Sequence, residues 1–211
     1  MEILCKANSR IEKQIVDALK EFKKVWKEGS GERLFEEMCF CLLTPQSSAK
    51  QAMKAIDLLK KNNLLEKGRA EQKESFVKNV RFYITKAKRL EEAQKKFPKE
   101  KIKQILKKNG LPNEPIKCRN FLLKEVNGYG MKEASHFLRN IGFFEEVAIL
   151  DRHILKNLVK CGIIEKVPGN LGVKNYLKIE EKMKDFCKKQ GIDFAELDLI
   201  FWSNETGSVM K

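Results

Sequence analysis

The sequence predicts an all-α protein made of two helical lobes with a cleft between them. Apolar residues recur three or four positions apart over most of the 211 residues, which is the spacing of an amphipathic helix. The period-two alternation that marks a strand is scarce, and no convincing pair of strands is found. Glycine and proline separate the helical stretches by short connections. We therefore expect one domain over residues 1–211, built of two helical subdomains.

In the first half of the chain, most of the helical patterns are closed by a glycine or a proline. The first pattern stops at Gly29 and Gly31, and a second, more apolar one stops before Pro45. Ser47 or Ser48 is placed to cap the next helix. A longer stretch over residues 73–97 is interrupted near Phe82. The apolar positions that define the first three helices are Ile11, Ile15, Leu19, Phe22 and Trp26; Leu34, Met38, Cys41 and Leu42; and Met53, Ile56 and Leu59.

The second half continues in the same way. A short helix around Ile105 is followed by a turn at residues 109–112, and Pro115 suits the first position of the next helix. A glycine-bounded turn at residues 127–130 leads directly into another helix, and Asp151 is placed to cap the one after it. The loop at residues 168–172 precedes two final helices. Loops 44–48 and 127–130 are expected to line the cleft.

The charge balance favours a polyanionic partner. Lys and Arg total 43 against 29 Asp and Glu, which gives a formal net charge of +14 and an isoelectric point near 9.5. Neutralising phosphates releases counterions, so such a chain is suited to nucleic acid. The alternative is a solvated, lysine-rich surface of a heat-adapted protein. No apolar run approaches the ~20 residues that span a bilayer, and the N-terminus lacks signal-peptide features. We therefore expect a cytoplasmic protein.

Six cysteines are scattered along the chain, without a C-x-x-C pair or a clustered four-ligand spacing. Two of them, Cys39 and Cys41, lie in an apolar segment that suits burial better than metal ligation. The others are Cys5, Cys118, Cys161 and Cys187. We expect no metal site, neither zinc nor an iron–sulfur cluster.

The turn Asn127-Gly128-Tyr129-Gly130 is a candidate site for the DNA backbone. Its two glycines allow a positive φ and a close approach of another backbone. The helix that follows begins with free amide groups and the positive end of its dipole, which together can hold a phosphate. Taken alone, the same residues are equally consistent with a plain turn between two antiparallel helices.

Lys132 and Asp151 are candidate catalytic residues. Lys132 is the second residue of the helix after the turn, where the dipole disfavours positive charge. A partly neutral amine there is a competent nucleophile that can form a Schiff base. Asp151 follows the apolar segment 147–150, which places its carboxylate partly out of water, where it can stabilise developing positive charge on a sugar. Taken separately, Lys132 is equally explained as a surface lysine, and Asp151 as an N-cap residue without a catalytic role.

Together these residues resemble the helix-hairpin-helix DNA glycosylase superfamily. The resemblance is carried by GYGMK at 128–132 and LDRH at 150–153, with further similarity in LTPQSS at 43–48 and VRFYxxKA at 80–87. The closing residues 202–211 are most similar to the compact type 2 8-oxoguanine DNA glycosylases. Endonuclease III-like relatives carry four closely spaced cysteines near the C-terminus, whereas only Cys187 lies there in this chain.

The resemblance implies a bifunctional base-excision repair enzyme that acts as a monomer on double-stranded DNA containing an oxidised purine. Lys132 would attack C1′ of an extruded nucleotide with support from Asp151, and a Schiff base would then permit β-elimination. Gln46 would fill the void left by the extruded base. The resemblance further implies a backbone-binding role for Asn127, Gly128 and Gly130 and a base pocket formed by Trp202, Lys211, Phe82, Met131 and His136. No cofactor is implied beyond a monovalent cation at the hairpin.

Two other functions remain open at this stage. The enzyme could act on a different lesion, an oxidised pyrimidine or an alkylated purine, because the shape of the pocket is not readable from the sequence. The hairpin could also belong to a non-catalytic module that binds the DNA backbone, for which salt-sensitive binding would be the only activity.

Overall fold

A computed structural model describes residues 9–207 and 209 of the chain, and within these residues it contains eleven α-helices and no strand. This confirms the all-α prediction. The helices are α1 (Ser9–Glu28), α2 (Gly31–Leu43), α3 (Ala49–Lys61), α4 (Ala70–Val77), α5 (Tyr83–Lys96), α6 (Ile102–Lys108), α7 (Pro115–Glu125), α8 (Met131–Asn140), α9 (Arg152–Lys160), α10 (Val173–Gln190) and α11 (Phe194–Thr206).

Helix α2 is the centre of the N-terminal half. Every residue from Met38 to Leu43 is buried, because α1, α3, α5, α6 and α8 all pack around this helix. A helix that is apolar on most of its faces is stable only when it is surrounded in this way. The more apolar second pattern of the sequence thus forms the central helix of this half.

Side-chain caps fix several helix starts. Ser48 accepts the backbone N–H of Gln51, whose side chain accepts the N–H of Ser48 in return, so Ser48 is the cap of α3. Ser30 caps α2 through a single bond, in which its Oγ accepts the backbone N–H of Arg33. The sequence pattern is wrong at one position here, since Gly31 begins α2 instead of ending α1. A Cβ on Gly31 would lie 1.7 Å from the carbonyl oxygen of Lys99, so glycine permits the close packing of the chain before α6.

Three hydrophobic clusters fill the interior of the described residues. One lies around α2, a second joins α9, α10 and α11, and a third packs α1 against α11. Helix α8 connects the first two, because Met131 belongs to the second cluster while Ala134 and Phe137 belong to the first. The N-terminus of α8 thus lies where the two clusters meet. The division of residues 1–211 into two helical subdomains stays a prediction.

The structure describes five of the cysteines, and all of them are buried: Cys39, Cys41, Cys118, Cys161 and Cys187. Within the described part of the chain, no group of three or more His, Cys, Asp or Glu side chains is arranged to hold a metal ion. A search of those same residues for a helix of the length and apolarity needed to cross a bilayer finds none.

Candidate active site

A cleft with a cavity volume of about 120 Å³ opens between α8, α9 and α11. It brings together Lys132 and Asp151, the two residues that the sequence singles out for chemistry. Both side chains come from the N-terminal ends of their helices, α8 and α9. The residues that line the cleft are Thr44, Ser47, Ala49, Lys132, His136, Arg139, Ile149, Asp151, Ile154, Asp198, Leu199 and Trp202.

Lys132 is the second residue of α8, as predicted, and its side chain is 26% exposed. Its Nζ lies 3.0 Å from Oε1 of Glu133, and Oε2 of the same carboxylate accepts the backbone N–H of Gly130 at 3.1 Å. Glu133 therefore places negative charge at the positive end of α8, where an anion is most stable. An incoming phosphate would compete with this carboxylate for the Gly130 amide.

Asp151 is the N-cap of α9. Its Oδ1 accepts the backbone N–H of Ile154 at 2.8 Å, which holds the carboxylate at the start of the helix. The preceding residues 147–150 are buried, so the chain reaches Asp151 from the interior. This N-cap bond by itself explains an aspartate at this position, and the same residue also lines the cleft.

Arg139 and Asp198 also line the cleft, and sequence analysis missed both. Their charged groups are 3.6 Å apart, and the Arg139 guanidinium lies 5.0 Å from the centre of the Phe22 ring. Burial raises the pKa of Asp198; the charge of Arg139 opposes this effect, and the Asp151 carboxylate adds to it. The sequence does contain one signal that could have placed Asp198 in the cleft. Asp198 and Trp202 are four residues apart and therefore lie on one face of α11.

The predicted base-pocket residues are divided between the cleft and its surroundings. Trp202 and His136 line the cleft; the Trp202 ring meets His153 edge-on with centroids 5.5 Å apart. Met131 is buried in the cluster of α9, α10 and α11. Phe82 is not among the lining residues: it is 54% exposed and stacks against Arg81. Lys211 lies outside the described residues.

The loop with Gln46 and the turn with Phe82 are adjacent and tied together. Both residues are exposed and left-handed, with φ of 53° and 58°. Ser47 Oγ accepts the backbone N–H of Arg81 at 2.9 Å and the Nζ of Lys86 at 3.1 Å. Left-handed backbone is unfavourable for residues other than glycine, and residues held in it cluster at functional sites.

The hairpin between α7 and α8 is anchored on both sides. Gly128 has a φ of +96°, as its predicted role in a tight turn requires. The Asn127 side chain donates to Glu92 at 2.9 Å, and the buried Tyr129 hydroxyl donates to the carbonyl of Met38 at 2.9 Å. The turn is thereby fixed to α5 and α2, and its glycines lie directly before Lys132.

Comparison with known proteins identifies relatives over most of the chain. Residues 15–192 match the sequence profile of the family described as 8-oxoguanine DNA glycosylase. The chain is 46% identical over 198 residues to an 8-oxoguanine DNA glycosylase/AP lyase of Fusobacterium nucleatum subsp. nucleatum, covering 92% of this chain and 90% of that protein. It is 37% identical to the protein of that name from Methanocaldococcus jannaschii, covering 97% and 95%.

Two crystal structures share the fold. The 8-oxoguanine DNA glycosylase of Thermotoga maritima superposes with a TM-score of 0.87 at 30% identity and covers 100% of this chain and 97% of its own. The Methanocaldococcus jannaschii 8-oxoguanine glycosylase/lyase, in complex with a 15-mer DNA containing 8-oxoguanine, superposes with a TM-score of 0.86 at 35% identity over the whole of both chains.

Proposed function

The chain belongs to the 8-oxoguanine DNA glycosylase family, and we propose that it removes 8-oxoguanine from double-stranded DNA and then cleaves the strand at the abasic site. The observation that carries this proposal is the meeting of Lys132 and Asp151 in one cleft, at the N-terminal ends of two helices and next to an anchored glycine hairpin. The positive net charge of +14 suits the polyanionic substrate.

The reaction begins with extrusion of the damaged nucleotide, because its C1′ is out of reach within the duplex. Lys132 must be neutral to attack, and the Glu133 carboxylate, 3.0 Å from Nζ, is placed to accept its proton. The Nζ–C1′ bond then forms as the glycosidic bond breaks, and the electron pair leaves with the base, which takes up the proton held by Glu133. Asp151 stabilises the positive charge that develops on the sugar.

Strand cleavage follows from the same adduct. The sugar ring opens to give a Schiff base between Lys132 and C1′, which makes the C2′ hydrogen acidic. Loss of that proton and breakage of the C3′–O3′ bond release the part of the strand on the 3′ side of the lesion, which keeps the phosphate at its 5′ end. Hydrolysis of the Schiff base regenerates the lysine.

Binding of the DNA involves the surroundings of the cleft. The amides of Gly128 and Gly130, with Asn127, hold a backbone phosphate near the lesion. The proposal includes a monovalent cation at the hairpin carbonyls and no other cofactor. Gln46 fills the space of the extruded base. The protein acts where the genome is, in the cytoplasm and associated with the nucleoid.

The extruded purine occupies the cleft beside Trp202 and His136, with Met131, Phe82 and Lys211 as further predicted contacts. Arg139 and Asp198 add charged groups to the lining of the cleft, and such groups can donate to and accept from the edge of a purine. A panel of duplexes with single lesions, including an oxidised pyrimidine and an alkylated purine, tests whether 8-oxoguanine is the preferred base.

Borohydride trapping tests the chemistry. With 8-oxoguanine opposite cytosine, we expect a covalent adduct with the unaltered protein and none with Lys132→Gln, whose single-turnover excision should fall by at least about 10³-fold. Lesion-duplex affinity should change by less than about threefold, since Lys132 acts mainly after binding. Lys60→Gln, which removes an exposed lysine paired with Glu36, serves as the control and should behave as the unaltered protein. Parallel loss of affinity and activity would make Lys132 a phosphate contact.

A further inference from the structure

Residues 147–150 lead to Asp151 without helical or strand structure, yet they are buried. Buried peptide groups outside regular structure need other hydrogen-bond partners. Three of them find these partners on one face of α10. The Ala148 N–H donates to Oε1 of Glu180 at 2.7 Å, the Tyr176 hydroxyl donates to the carbonyl of Ala148 at 2.6 Å, and the Leu150 N–H donates to the Tyr176 oxygen at 3.1 Å.

Glu180 is also linked to the helix that carries Lys132. Arg119 of α7 donates through Nη1 and Nη2 to the two oxygens of Glu180, at 2.7 and 3.0 Å, and both side chains are buried. Arg119 Nη1 also donates to Oγ of Ser135 at 3.3 Å, so Arg119 joins Glu180 to α8. Ser135 lies about one turn after Lys132 on α8.

We propose that Tyr176 and Glu180, held by Arg119, are positioning residues for base excision. They fix the backbone immediately before Asp151 and connect it to α8, so that the carboxylate and the Lys132 amine keep their relative places across the cleft. This inference rests on the proposed function of those two residues. Burial raises the pKa of Tyr176, so its hydroxyl remains protonated and can donate to Ala148 at any physiological pH.

The geometry explains why these groups are polar. A buried ion pair contributes little net stability compared with apolar residues of similar size, because both charges lose their hydration. A bidentate pair does fix the relative orientation of its two side chains, and Arg119 and Glu180 form both of the parallel hydrogen bonds of such a pair. A displacement of about 1 Å in a catalytic group can slow a reaction by about 10²-fold.

The test separates base excision from cleavage at a preformed abasic site. Only the first step needs Asp151 to stabilise the charge left by the departing base, whereas both steps need Lys132. For Tyr176→Phe and Glu180→Gln we expect single-turnover excision of 8-oxoguanine to fall by about 10- to 100-fold. Cleavage of a duplex with a preformed abasic site, and affinity for the lesion duplex, should change by less than about threefold. Asp151→Asn should show the same pattern.

Glu37→Gln is the matched control. Glu37 is also buried, pairs with Arg33 at 2.6 Å and accepts from Asn140 at the opposite end of α8 from Lys132. The Glu37→Gln variant should have a lower thermal stability but no selective loss of excision. Equal loss of both steps in the Tyr176 and Glu180 variants would make their role merely structural, and unchanged excision would refute the proposal. If the unaltered protein neither excises 8-oxoguanine nor forms the trapped adduct, the proposed function itself fails.

Discussion

At the scale of single residues, two buried lysines form a natural matched pair. Lys73 and Lys86 both donate to backbone carbonyls, and burial is the main cause that lowers the pKa of each to about 8. Lys73 binds the carbonyls of Leu64 and Lys67. Lys86 lies under the Gln46 loop instead. The charges of Arg89 and Lys132 lower its pKa further, while that of Glu133 opposes them.

Lys86 supports the loop that we propose to enter DNA. It donates to the carbonyls of Leu43 and Pro45, both at 2.7 Å, and to Ser47. These bonds satisfy two carbonyl groups, one at the end of α2 and one just beyond it, that would otherwise lack a hydrogen-bond donor. They also hold Gln46 in its left-handed conformation on the surface. Because Lys86 is itself buried, we expect its effect on DNA binding to come through the loop.

We predict that Lys86→Met impairs extrusion of the damaged nucleotide. Single-turnover excision of 8-oxoguanine from a paired duplex should fall by about tenfold or more, because the loop no longer presents Gln46 to the gap. Excision of the same lesion from an unpaired bubble should fall by less than about threefold, since no base pair has to be opened. Both substrates are compared in one quenched-flow series.

Lys73→Met is the control for this prediction. It removes an equally buried ammonium group that binds two loop carbonyls, so its cost in thermal stability should be similar. Its excision rates should be normal on both substrates. If Lys86→Met slows the duplex and bubble reactions equally, Lys86 does not act through extrusion.

At the scale of elements, the hairpin between α7 and α8 is the critical connection. The two glycines of the hairpin differ in what they require. Gly128 needs its positive φ of 96°, and a Cβ there would lie 2.6 Å from the side chain of Arg89. Gly130 has a φ of −103°, which any residue can adopt, and its Cβ would meet only the flexible carboxylate of Glu133 at 3.1 Å.

Gly128→Ala should therefore be more damaging than Gly130→Ala. We expect Gly128→Ala to lower the free energy of unfolding by about 1–2 kcal/mol, the cost of left-handed backbone for a residue with a Cβ. Its affinity for undamaged duplex should fall several-fold as the hairpin shifts. Chemical denaturation and fluorescence anisotropy measure the two effects. A larger loss of stability in Gly130→Ala would show that the positive φ is not the limiting feature.

Most elements could be predicted because their signals are local. The start of α9 after Asp151 and the start of α7 at Pro115 both depend on residues within one turn of the boundary. The exception near Gly31 has a tertiary cause. Gly31 is required by the approach of Lys99, which is remote in sequence, so a pattern of helix-ending glycines assigned it to the wrong helix.

At the scale of the whole molecule, the formal charge of +14 controls encounter with DNA more than it controls chemistry. We predict that the dissociation constant for undamaged duplex increases by at least about tenfold between roughly 50 and 200 mM salt, through the loss of counterion release. The single-turnover excision rate of a preformed lesion complex should change little, because the cleft is already formed. A salt-independent dissociation constant would contradict a backbone-dominated mode of binding.

The sequence by itself determined the helices, the glycine hairpin, and the identities of Lys132 and Asp151 as candidates for chemistry. These depend on periodicity, capping and spacing along the chain, which are interactions between near neighbours. The sequence also determined the charge that favours DNA. It did not predict Arg139 and Asp198 in the cleft, because a charged residue on a helix is usually a solvated one.

Only the tertiary structure decided which polar residues lie next to the candidate site. Arg119 meets Glu180 across 61 residues of sequence, and Lys86 meets Leu43 across 43. Neither pair has a local pattern, because each contact exists only after the helices have packed and water has been excluded from between them. The meeting of Lys132 and Asp151 in one cleft is likewise decided by the tertiary structure, since it depends on how α8 and α9 pack against α11.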